Sequence, residues 1–236
     1  MKNKLKKILP SVEKPTRYIG TEFNSVHKDL NGINIRFAFC FPDVYEVGMS
    51  HLGMKILYHL LNSVDDIYCE RVFAPWVDME EKMRENNIPL FSLETMSPVS
   101  DFDFIGFTLQ YEMSYSNIVN MLKLANVAPK SCDRKEGDPF VCFGGPCAYS
   151  SEAIADFADF YMLGEGEEVM IEVMDAYREW KKRGGTRFEF LKEISQIGGI
   201  YVPSFYEISY NDDGTVKAID TKYDFVPKTV KKRIIA

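Results

Sequence analysis

The sequence has no long apolar run. Charges or glycines interrupt every apolar stretch before it reaches the ~18 residues that a membrane-spanning helix needs. The first ten residues contain four lysines, but no apolar segment of signal-peptide length follows them. We therefore expect an unexported, cytoplasmic protein that has no membrane partner.

An excess of positive charge is also missing. The 236 residues include 28 Lys and Arg against 35 Asp and Glu, which gives a formal net charge of −7. Surfaces that hold nucleic acids or anionic membranes need a cationic excess. The charge balance therefore carries no strong signal for nucleic-acid binding.

Cysteine is scarce and irregularly spaced. The five cysteines are Cys40, Cys69, Cys132, Cys142 and Cys147. Four of them lie in or beside apolar segments, where a free thiol behaves as a small hydrophobe. The odd number and these surroundings indicate a reducing compartment and no disulfide framework.

Two nucleotide-binding motifs are absent. No G-x-G-x-x-G follows the first predicted strand, and no G-x-x-x-x-G-K-[ST] occurs in the chain. Nucleotide binding through these two motifs is therefore disfavoured. The chain does contain 46% hydrophobic and 14% aromatic residues, enough for a sizeable core and unlike a disordered segment.

Short apolar runs alternate with amphipathic stretches along most of the chain. Strands are predicted at 33–41, 68–73, 90–93, 104–109, 140–143 and 160–163. Helices are predicted from the 3.6-residue period at 50–62, 76–85, 115–126 and 167–182. Ser50 is the expected cap of the first helix. This alternation predicts an open, mostly parallel, Rossmann-like α/β sheet with helices on both faces.

The pattern divides the chain into three segments. Residues 1–32 form a polar leader that packs on the surface, and residues 33–185 form the Rossmann-like domain. Residues 186–236 form an extension with a helix and a β-hairpin. The helix is predicted at 188–194, and the hairpin joins strands at 201–210 and 216–223 through the Gly-containing turn 211–214. The basic clusters at 2–7 and 228–233 are interpreted first as solvated tails, and second as an interdomain contact.

Four loops after predicted strands carry unusual sequence. In an open parallel sheet, ligands bind outside the carboxyl ends of the strands. Glycines there allow positive φ and close approach of a ligand, and helix N-termini offer free N–H groups. Each loop alone is ordinary turn chemistry, but four at one edge indicate a binding site. The candidate cofactor-binding residues are Asp43, Tyr45, Gly48, Met49, Gln110, Tyr111, Gly144, Gly145, Pro146, Gly164, Glu165, Gly166 and Glu167.

Other polar side chains fit structural roles better than chemical ones. His59 is expected on a helix surface or in the core, whereas His51 adjoins the first loop and is a possible edge of the site. Cys142 and Cys147 are expected to be buried thiols rather than metal ligands. No nucleophile–base pair can be assembled from the three histidines, so an independent small-molecule enzyme is the weakest interpretation.

Longer stretches resemble a known family. They include DVYEVGMSHLGMKILYHLLN, ERVFAPWVDMEEKMR and GGPCAYSSEAIADFADFYMLGEGEEV. These stretches resemble the N-terminal half of radical S-adenosylmethionine (SAM) proteins of the Fe–S oxidoreductase type, which carry a cobalamin-binding-like domain. The resemblance implies a small-molecule cofactor domain whose partner is the radical SAM barrel of the same full-length protein. In such a barrel, a C-x-x-x-C-x-x-C motif holds a [4Fe–4S] cluster.

The cluster motif of that family is missing. Consecutive cysteines lie 29, 63, 10 and 5 positions apart, so C-x-x-x-C-x-x-C cannot be formed. We therefore expect the [4Fe–4S] cluster and S-adenosylmethionine to bind only in an absent C-terminal part, and this chain not to be catalytic alone. The apolar end Ile234-Ile235-Ala236 has no cap, which leads us to expect a fragment that stops before the barrel.

Histidine is also missing from the expected cobalt position. Family members that ligate cobalt with histidine use D-x-H-x-x-G, and the matching stretch here runs from Asp43 to Gly48 with Tyr45 in the ligand place. A neutral phenol is a poor substitute for an imidazole nitrogen. The resemblance then implies cobalamin binding without histidine ligation. The alternative is a Rossmann-like scaffold that binds no cofactor and serves interdomain interaction or substrate positioning.

Overall fold

The structure is a computed structural model that describes residues 1–234. Ile235 and Ala236, which belong to the apolar end on which the expectation of a fragment depends, lie outside the described residues. Within the described part of the chain, no helix has both the length and the apolar character needed to cross a bilayer.

A six-stranded sheet forms the centre of the fold. Its strands are β1 (Ile35–Phe41), β2 (Ile67–Phe73), β3 (Phe104–Thr108), β4 (Phe140–Gly144), β5 (Phe160–Met162) and β6 (Ile200–Tyr201). Their order is β2-β1-β3-β4-β5-β6; β1 to β5 are parallel, and β6 is antiparallel to β5. The predicted mostly parallel α/β architecture is confirmed. All seven residues of β2 are buried, as expected for a strand covered on both faces.

Helices connect the strands and cover the sheet. They are α1 (Lys2–Ile8), α2 (Tyr45–Ser50), α3 (Leu52–Asn62), α4 (Val77–Glu85), α5 (Tyr115–Leu124), α6 (Gly166–Arg183) and α7 (Arg187–Ile194). The strand order reverses direction at β1, so right-handed crossovers place α3 and α5 on opposite faces. Helix α6 contacts α3. These two helices therefore share one face of the sheet, and their N-termini lie near its carboxyl edge.

The cap of α3 differs from the prediction. Ser50 ends α2 and its hydroxyl donates a hydrogen bond to the carbonyl of Glu46 at 2.7 Å. The N-cap is His51, whose Nδ1 accepts a hydrogen bond from the backbone N–H of Met54 at 3.1 Å. The expectation that Ser50 caps this helix is wrong, because the serine oxygen is already committed to α2.

The prediction of a strand at 90–93 is also wrong. In its place the structure has a single β-bridge between Phe91 and Pro98. Leu93 donates one backbone hydrogen bond to the carbonyl of Arg71 at 2.9 Å. The backbone N–H of Arg71 bonds instead to the carboxylate of Glu94 at 2.8 Å. The Glu94 side chain thus accepts the hydrogen bond that a backbone carbonyl of a paired strand would accept, and no further strand forms beside β2 at this point.

The strand predicted at 201–210 is split in two. A 3₁₀ turn at Pro203–Phe205 separates β6 from β7 (Tyr206–Tyr210). Proline has no N–H to continue a ladder, which explains the break. β7 pairs antiparallel with β8 (Val216–Thr221), so the hairpin is a separate two-stranded sheet. Gly214 has φ of +82° in the predicted turn.

One hydrophobic core runs through all three predicted segments. Leu5, Ile8 and Val12 of the leader belong to it, as do Phe190 and Phe205 of the extension. The structure therefore joins the leader and the extension to the sheet by packing. The division at 32 and 185 stays a prediction.

Candidate functional site

A cavity of about 350 Å³ opens at the carboxyl edge of the sheet. It lies between the sheet and the first turns of α3 and α6, and Thr108, Gly144 and Met162 at the ends of three strands contribute to it. The strand order reverses between β1 and β3, and open α/β sheets leave a crevice at such a point. The cavity therefore occupies the place where this fold class binds ligands.

Apolar side chains and a glycine form the floor of the cavity. Phe37 and Phe39 of β1 contribute rings, and Gly106 of β3 lies beside them. A Cβ atom on Gly106 would lie 2.4 Å from Cζ of Phe37, so no larger residue fits without moving that ring. Leu57 of α3 and Met170 of α6 complete the apolar walls.

The Gly144-Gly145-Pro146 turn forms a second wall, and its glycine is required by the backbone. Gly145 has φ of +98°, and a Cβ atom there would lie 2.8 Å from the carbonyl oxygen of Leu109. The backbone N–H of Leu109 donates to the carbonyl of Gly144 at 2.7 Å, and Cys147 donates to Leu109 at 3.1 Å. Two loops cross at this point, and only glycine permits the approach.

The loop after β5 forms a third wall and is held by a distant segment, residues 231–234, which we call the docked segment. Arg233 donates a backbone hydrogen bond to Leu163 at 2.7 Å and accepts one from Glu165 at 3.2 Å. Gly164 has φ of +104°, and a Cβ atom on it would lie 2.1 Å from the carbonyl oxygen of Arg233. The guanidinium of Arg233 pairs with Glu168 at 3.0 Å and also with Glu172. The expectation of a solvated tail is therefore wrong at Arg233.

The cavity lining is acidic and holds no Lys or Arg within the part of the chain that the structure describes. Its ionisable carboxylates belong to Glu165 and Glu167 at the start of α6. Carboxylates in this place favour the positive end of the helix dipole. No side chain caps the N-terminus of α6. On the other side of the cavity, Nδ1 of His51 accepts from Met54, so in the neutral ring Nε2 carries the hydrogen.

Tyr45 lies in α2 and is turned towards the leader. Its hydroxyl donates a hydrogen bond to Oε1 of Glu22 at 2.7 Å, and its ring contacts that of Phe73 with centroids 5.5 Å apart. Burial raises the pKa of Tyr45 to about 12, and the bond to Glu22 adds to this shift. The phenol is therefore neutral at ordinary pH and is engaged away from the cavity.

The other candidates in the first loop also have structural partners. Oδ1 of Asp43 accepts from the backbone N–H of Val44 at 2.7 Å. A Cβ atom on Gly48 would lie 2.3 Å from the ring of Phe73. The sulfur of Met49 lies 3.2 Å from a guanidinium nitrogen of Arg71. These contacts tie the loop to the leader side of the sheet.

The predicted site is thus assembled in part. The predicted residues that line the cavity are Gln110, Gly144, Gly145, Pro146, Gly164, Glu165, Gly166 and Glu167. Those that do not line it are Asp43, Tyr45, Gly48, Met49 and Tyr111. The first loop follows β1 to the same edge, but it folds into α2 and leaves the crevice to the other three loops.

Sequence reasoning missed several lining residues. Phe37, Phe39, Gly106 and Met170 lie in predicted strands and a predicted helix, and the sequence pattern gives them no role in a site. Thr108 carried a usable signal, since it is the polar end of an otherwise apolar strand. For helix residues such as Leu57, the pattern predicts a buried face but cannot distinguish a packed core from a cavity wall.

A second depression of about 680 Å³ lies between the leader and helices α2 and α3. At its base, the guanidinium of Arg71 bonds to Glu94 at 2.6 Å, to Glu22 at 2.9 Å and to Ser25 at 2.8 Å. Burial raises the pKa of Glu94. Glu22 and Ser25 belong to the leader and bond to Arg71 of the sheet, so we interpret this depression as part of the surface on which the leader packs.

Of the two cysteines expected to be buried, Cys142 is buried and Cys147 is only partly so. Cys142 is fully buried, and burial raises the pKa of its thiol far above the usual range. Cys147 is half-buried beside the GGP turn. Among residues 1–234, no three His, Cys, Asp or Glu side chains are grouped as a metal ion would require.

Comparison with known proteins gives the family of the chain. A family described as the N-terminal part of radical SAM proteins matches residues 53–203, which include β2 to β6 and three of the loops around the cavity. An uncharacterised protein of Methanocaldococcus jannaschii is 28% identical over 152 residues, covering 62% of this chain and 28% of that relative. The chain therefore spans well under two thirds of the relative's length. By the extent of the first match, this chain belongs to the family of radical SAM protein N-terminal domains.

Proposed function

We propose that this chain is the domain of a radical SAM enzyme that holds a cobalamin-like cofactor, without histidine ligation of cobalt and without catalysis of its own. The observation that carries the proposal is the cavity at the carboxyl ends of β3, β4 and β5, open and walled by glycines and apolar side chains. None of Tyr45, Met49 or Tyr111, the bulky residues able to plug a crevice here, lines it. An open cavity favours a cofactor domain over an empty scaffold.

The dimensions and chemistry of the cavity suit one part of such a cofactor. Small-molecule sites measure about 300–1,000 Å³ and are mostly apolar with a few polar groups. At about 350 Å³, this cavity matches the heteroaromatic nucleotide tail of a cobalamin better than its much larger corrin ring. Phe37, Leu57 and Met170 would pack against the base, and Gly144 and Gly166 would leave room for it. When bound, a corrinoid supplies a cobalt centre that takes up and releases electrons.

The state of Tyr45 supports binding without a protein ligand to cobalt. Its pKa is raised to about 12 and its hydroxyl is bonded to Glu22, so the anionic form that a metal needs is disfavoured. His51 is a donor at the cavity through Nε2, because Nδ1 is used as the helix cap. The polar contacts offered to a ligand are thus hydrogen bonds.

We also propose that the barrel of the full-length protein docks on this edge of the sheet. The [4Fe–4S] cluster and S-adenosylmethionine would bind in that barrel. Large exposed apolar side chains follow the carboxyl ends of β1, β2 and β3. They are Val47, Leu52, Trp76, Val77, Tyr111 and Met113. Apolar groups concentrated on one edge are typical of an interaction surface. This observation also favours the second candidate function, a scaffold for interdomain contact.

Titration with hydroxocobalamin separates the two candidates. We expect saturable binding to the 236-residue chain in the micromolar range with a base-off corrin spectrum. Gly166→Leu should weaken binding about tenfold, since overfilling a packed site costs on the order of 1–3 kcal/mol. Gly166 lies at the start of α6, and a Cβ atom there would lie 3.5 Å from the side chain of Leu57, which is an ordinary contact. The backbone thus tolerates the substitution, while the longer side chain fills the cavity.

Gly137→Leu is the matched control for that experiment. A Cβ atom on Gly137 has nothing within 4 Å, and this glycine lies outside the cavity lining. The control should bind as the wild type does. If the wild-type chain is folded by circular dichroism and does not bind hydroxocobalamin, the cofactor proposal is rejected and the scaffold remains.

A further inference from the structure

A groove of about 430 Å³ adjoins the cavity. The two depressions share Gly145, Pro146, Gly164 and Glu165 as a common wall. The other side of the groove is formed by Tyr149 and by residues 232–234 of the docked segment. A single elongated ligand can therefore pass over the shared wall and occupy both.

The docked segment is attached to the loop after β5 and to α6 by several contacts. Its backbone forms a parallel bridge between Arg233 and Gly164, with hydrogen bonds on both sides of the arginine. The Arg233 guanidinium is further held by Glu168 and Glu172 of α6. Because these contacts hold Arg233 in place, they also position the neighbouring Lys232 at the groove.

Charge distinguishes the two depressions. Glu165 lies on the shared wall and lines both depressions, so it does not distinguish them. The cavity alone has Glu167, and among the described residues its lining holds no Lys or Arg. The groove lining includes Lys232, whose ammonium makes no ion pair with any of residues 1–234. An anionic group is therefore favoured in the groove over the cavity, and an uncharged heterocycle has the opposite preference.

We propose that the groove is the second half of one ligand site. It takes the phosphate of a nucleotide-like ligand against Lys232, while the uncharged heterocycle of the same ligand fills the cavity. The identity of that ligand as a cobalamin tail rests on the proposed function above, whereas the placement of its charge rests on the two linings. The docked segment then belongs to the binding site, and the ligand holds it in place.

The test compares two probes and two lysine variants. The probes are α-ribazole, the uncharged nucleoside of the cobalamin tail, and α-ribazole phosphate, both followed by calorimetry with the 236-residue chain. Lys232→Ala should raise the Kd for the phosphate about fivefold and leave the Kd for the nucleoside unchanged, as expected for one exposed charge pair. Lys231→Ala is the matched control, since Lys231 is next to Lys232 but does not line the groove. The control should leave both Kd values unchanged.

The proposal is overturned if Lys232→Ala and Lys231→Ala bind α-ribazole phosphate equally well, or if the wild type binds the phosphate no more tightly than the nucleoside. If hydroxocobalamin binds to the wild type and to Lys232→Ala with equal affinity, the role of the groove is rejected and the proposed function is retained. If α-ribazole phosphate binds in a Lys232-dependent manner but hydroxocobalamin does not bind, the role of the groove is supported and the assignment of the ligand as a cobalamin is rejected. A folded chain that binds none of the three probes rejects both.

Trypsin gives an independent readout of the docked segment. Bound α-ribazole phosphate should slow cleavage after Arg233 several-fold in the wild type, with cleavage after Lys7 as the internal reference. α-Ribazole at the same occupancy should slow it less, because it does not reach the groove. Equal rates after Arg233 with and without the phosphate at saturation would contradict the proposal.

Discussion

At the scale of single residues, one buried carboxylate serves two guanidinium groups. Asp159 lies 2.8 Å from Arg134 and 3.0 Å from Arg187, and it accepts the backbone N–H of Val141 at 2.7 Å. Burial lowers the pKa of Arg134, and Asp159 opposes that shift. Backbone carbonyls accept further hydrogen bonds from both guanidinium groups. This cluster joins the loop before β4 to the strand that carries the GGP turn.

We predict that Asp159→Asn destabilises the chain by about 3–5 kcal/mol, because it leaves two buried guanidinium charges without a counter-charge. The measurement is the free energy of unfolding from urea denaturation at neutral pH. Asp156→Asn is the control, since Asp156 is exposed and lies 3.4 Å from Lys130 on the surface. The control should cost less than about 1 kcal/mol. A loss of similar size in both variants would contradict the assignment.

At the scale of elements, the walls of the cavity depend on where α6 lies. Its first turn contributes Gly166 and Glu167 to the cavity. Farther along, Arg178 bonds through Nε and a terminal nitrogen to the carboxylate of Asp66, both at 2.8 Å. Asp66 precedes β2, and it also accepts from Asn34 at 3.0 Å. This bidentate pair thus ties α6 to the amino ends of β1 and β2.

The same pair predicts a pH dependence of stability. The hydrogen bond from Arg178 lowers the pKa of Asp66 from 3.8 to about 2. A carboxyl with a lowered folded-state pKa stabilises the fold fully above its unfolded pKa, and this contribution is lost as the pH falls from about 4 to 2. We expect Asp66→Asn to lower stability by about 1 kcal/mol at pH 6, allowing for solvent screening, and to flatten the urea-unfolding profile between pH 4 and 2. A variant with the wild-type slope in that window would contradict the prediction.

At the scale of the whole molecule, the leader contributes to the same core as the sheet. Leu5 is 1% exposed and Tyr18 is buried, and the Tyr18 hydroxyl accepts the backbone N–H of Trp76 at 3.1 Å. Lys28 donates to the carbonyls of Val64 and Ile67 just before and at the start of β2. A single hydrophobic cluster of this kind favours one cooperative unfolding transition.

We therefore predict that Leu5→Ala destabilises the whole chain by about 2–5 kcal/mol, the usual cost of emptying a buried leucine site. Leu30→Ala should have little effect, because Leu30 is 47% exposed. Urea denaturation followed by far-UV circular dichroism and by tryptophan fluorescence should give one coincident transition for both variants. A leader that melts separately, with the sheet unaffected by Leu5→Ala, would show that residues 1–32 are peripheral.

Much of this fold follows from local pattern. The apolar runs bounded by glycine, proline and polar residues predict five of the six strands of the central sheet within a few residues, because a strand buried on both faces needs such a run. The prediction of a strand at 90–93 is wrong because the carboxylate of Glu94, instead of a backbone carbonyl, accepts the hydrogen bond from the Arg71 N–H. No periodicity of residues 90–93 contains that information.

Residue type and spacing alone predict the mostly parallel α/β architecture and the glycine-rich loops at its carboxyl edge, and they show that the chain lacks a C-x-x-x-C-x-x-C motif. Each depends on residue type and spacing within a short window. Three features are visible only in the folded chain: which loops enclose the cavity, the bond of Tyr45 to Glu22, and the bridge between Arg233 and Gly164. Those contacts join residues far apart in the chain, and their geometry depends on strand order and helix packing, which no local pattern specifies.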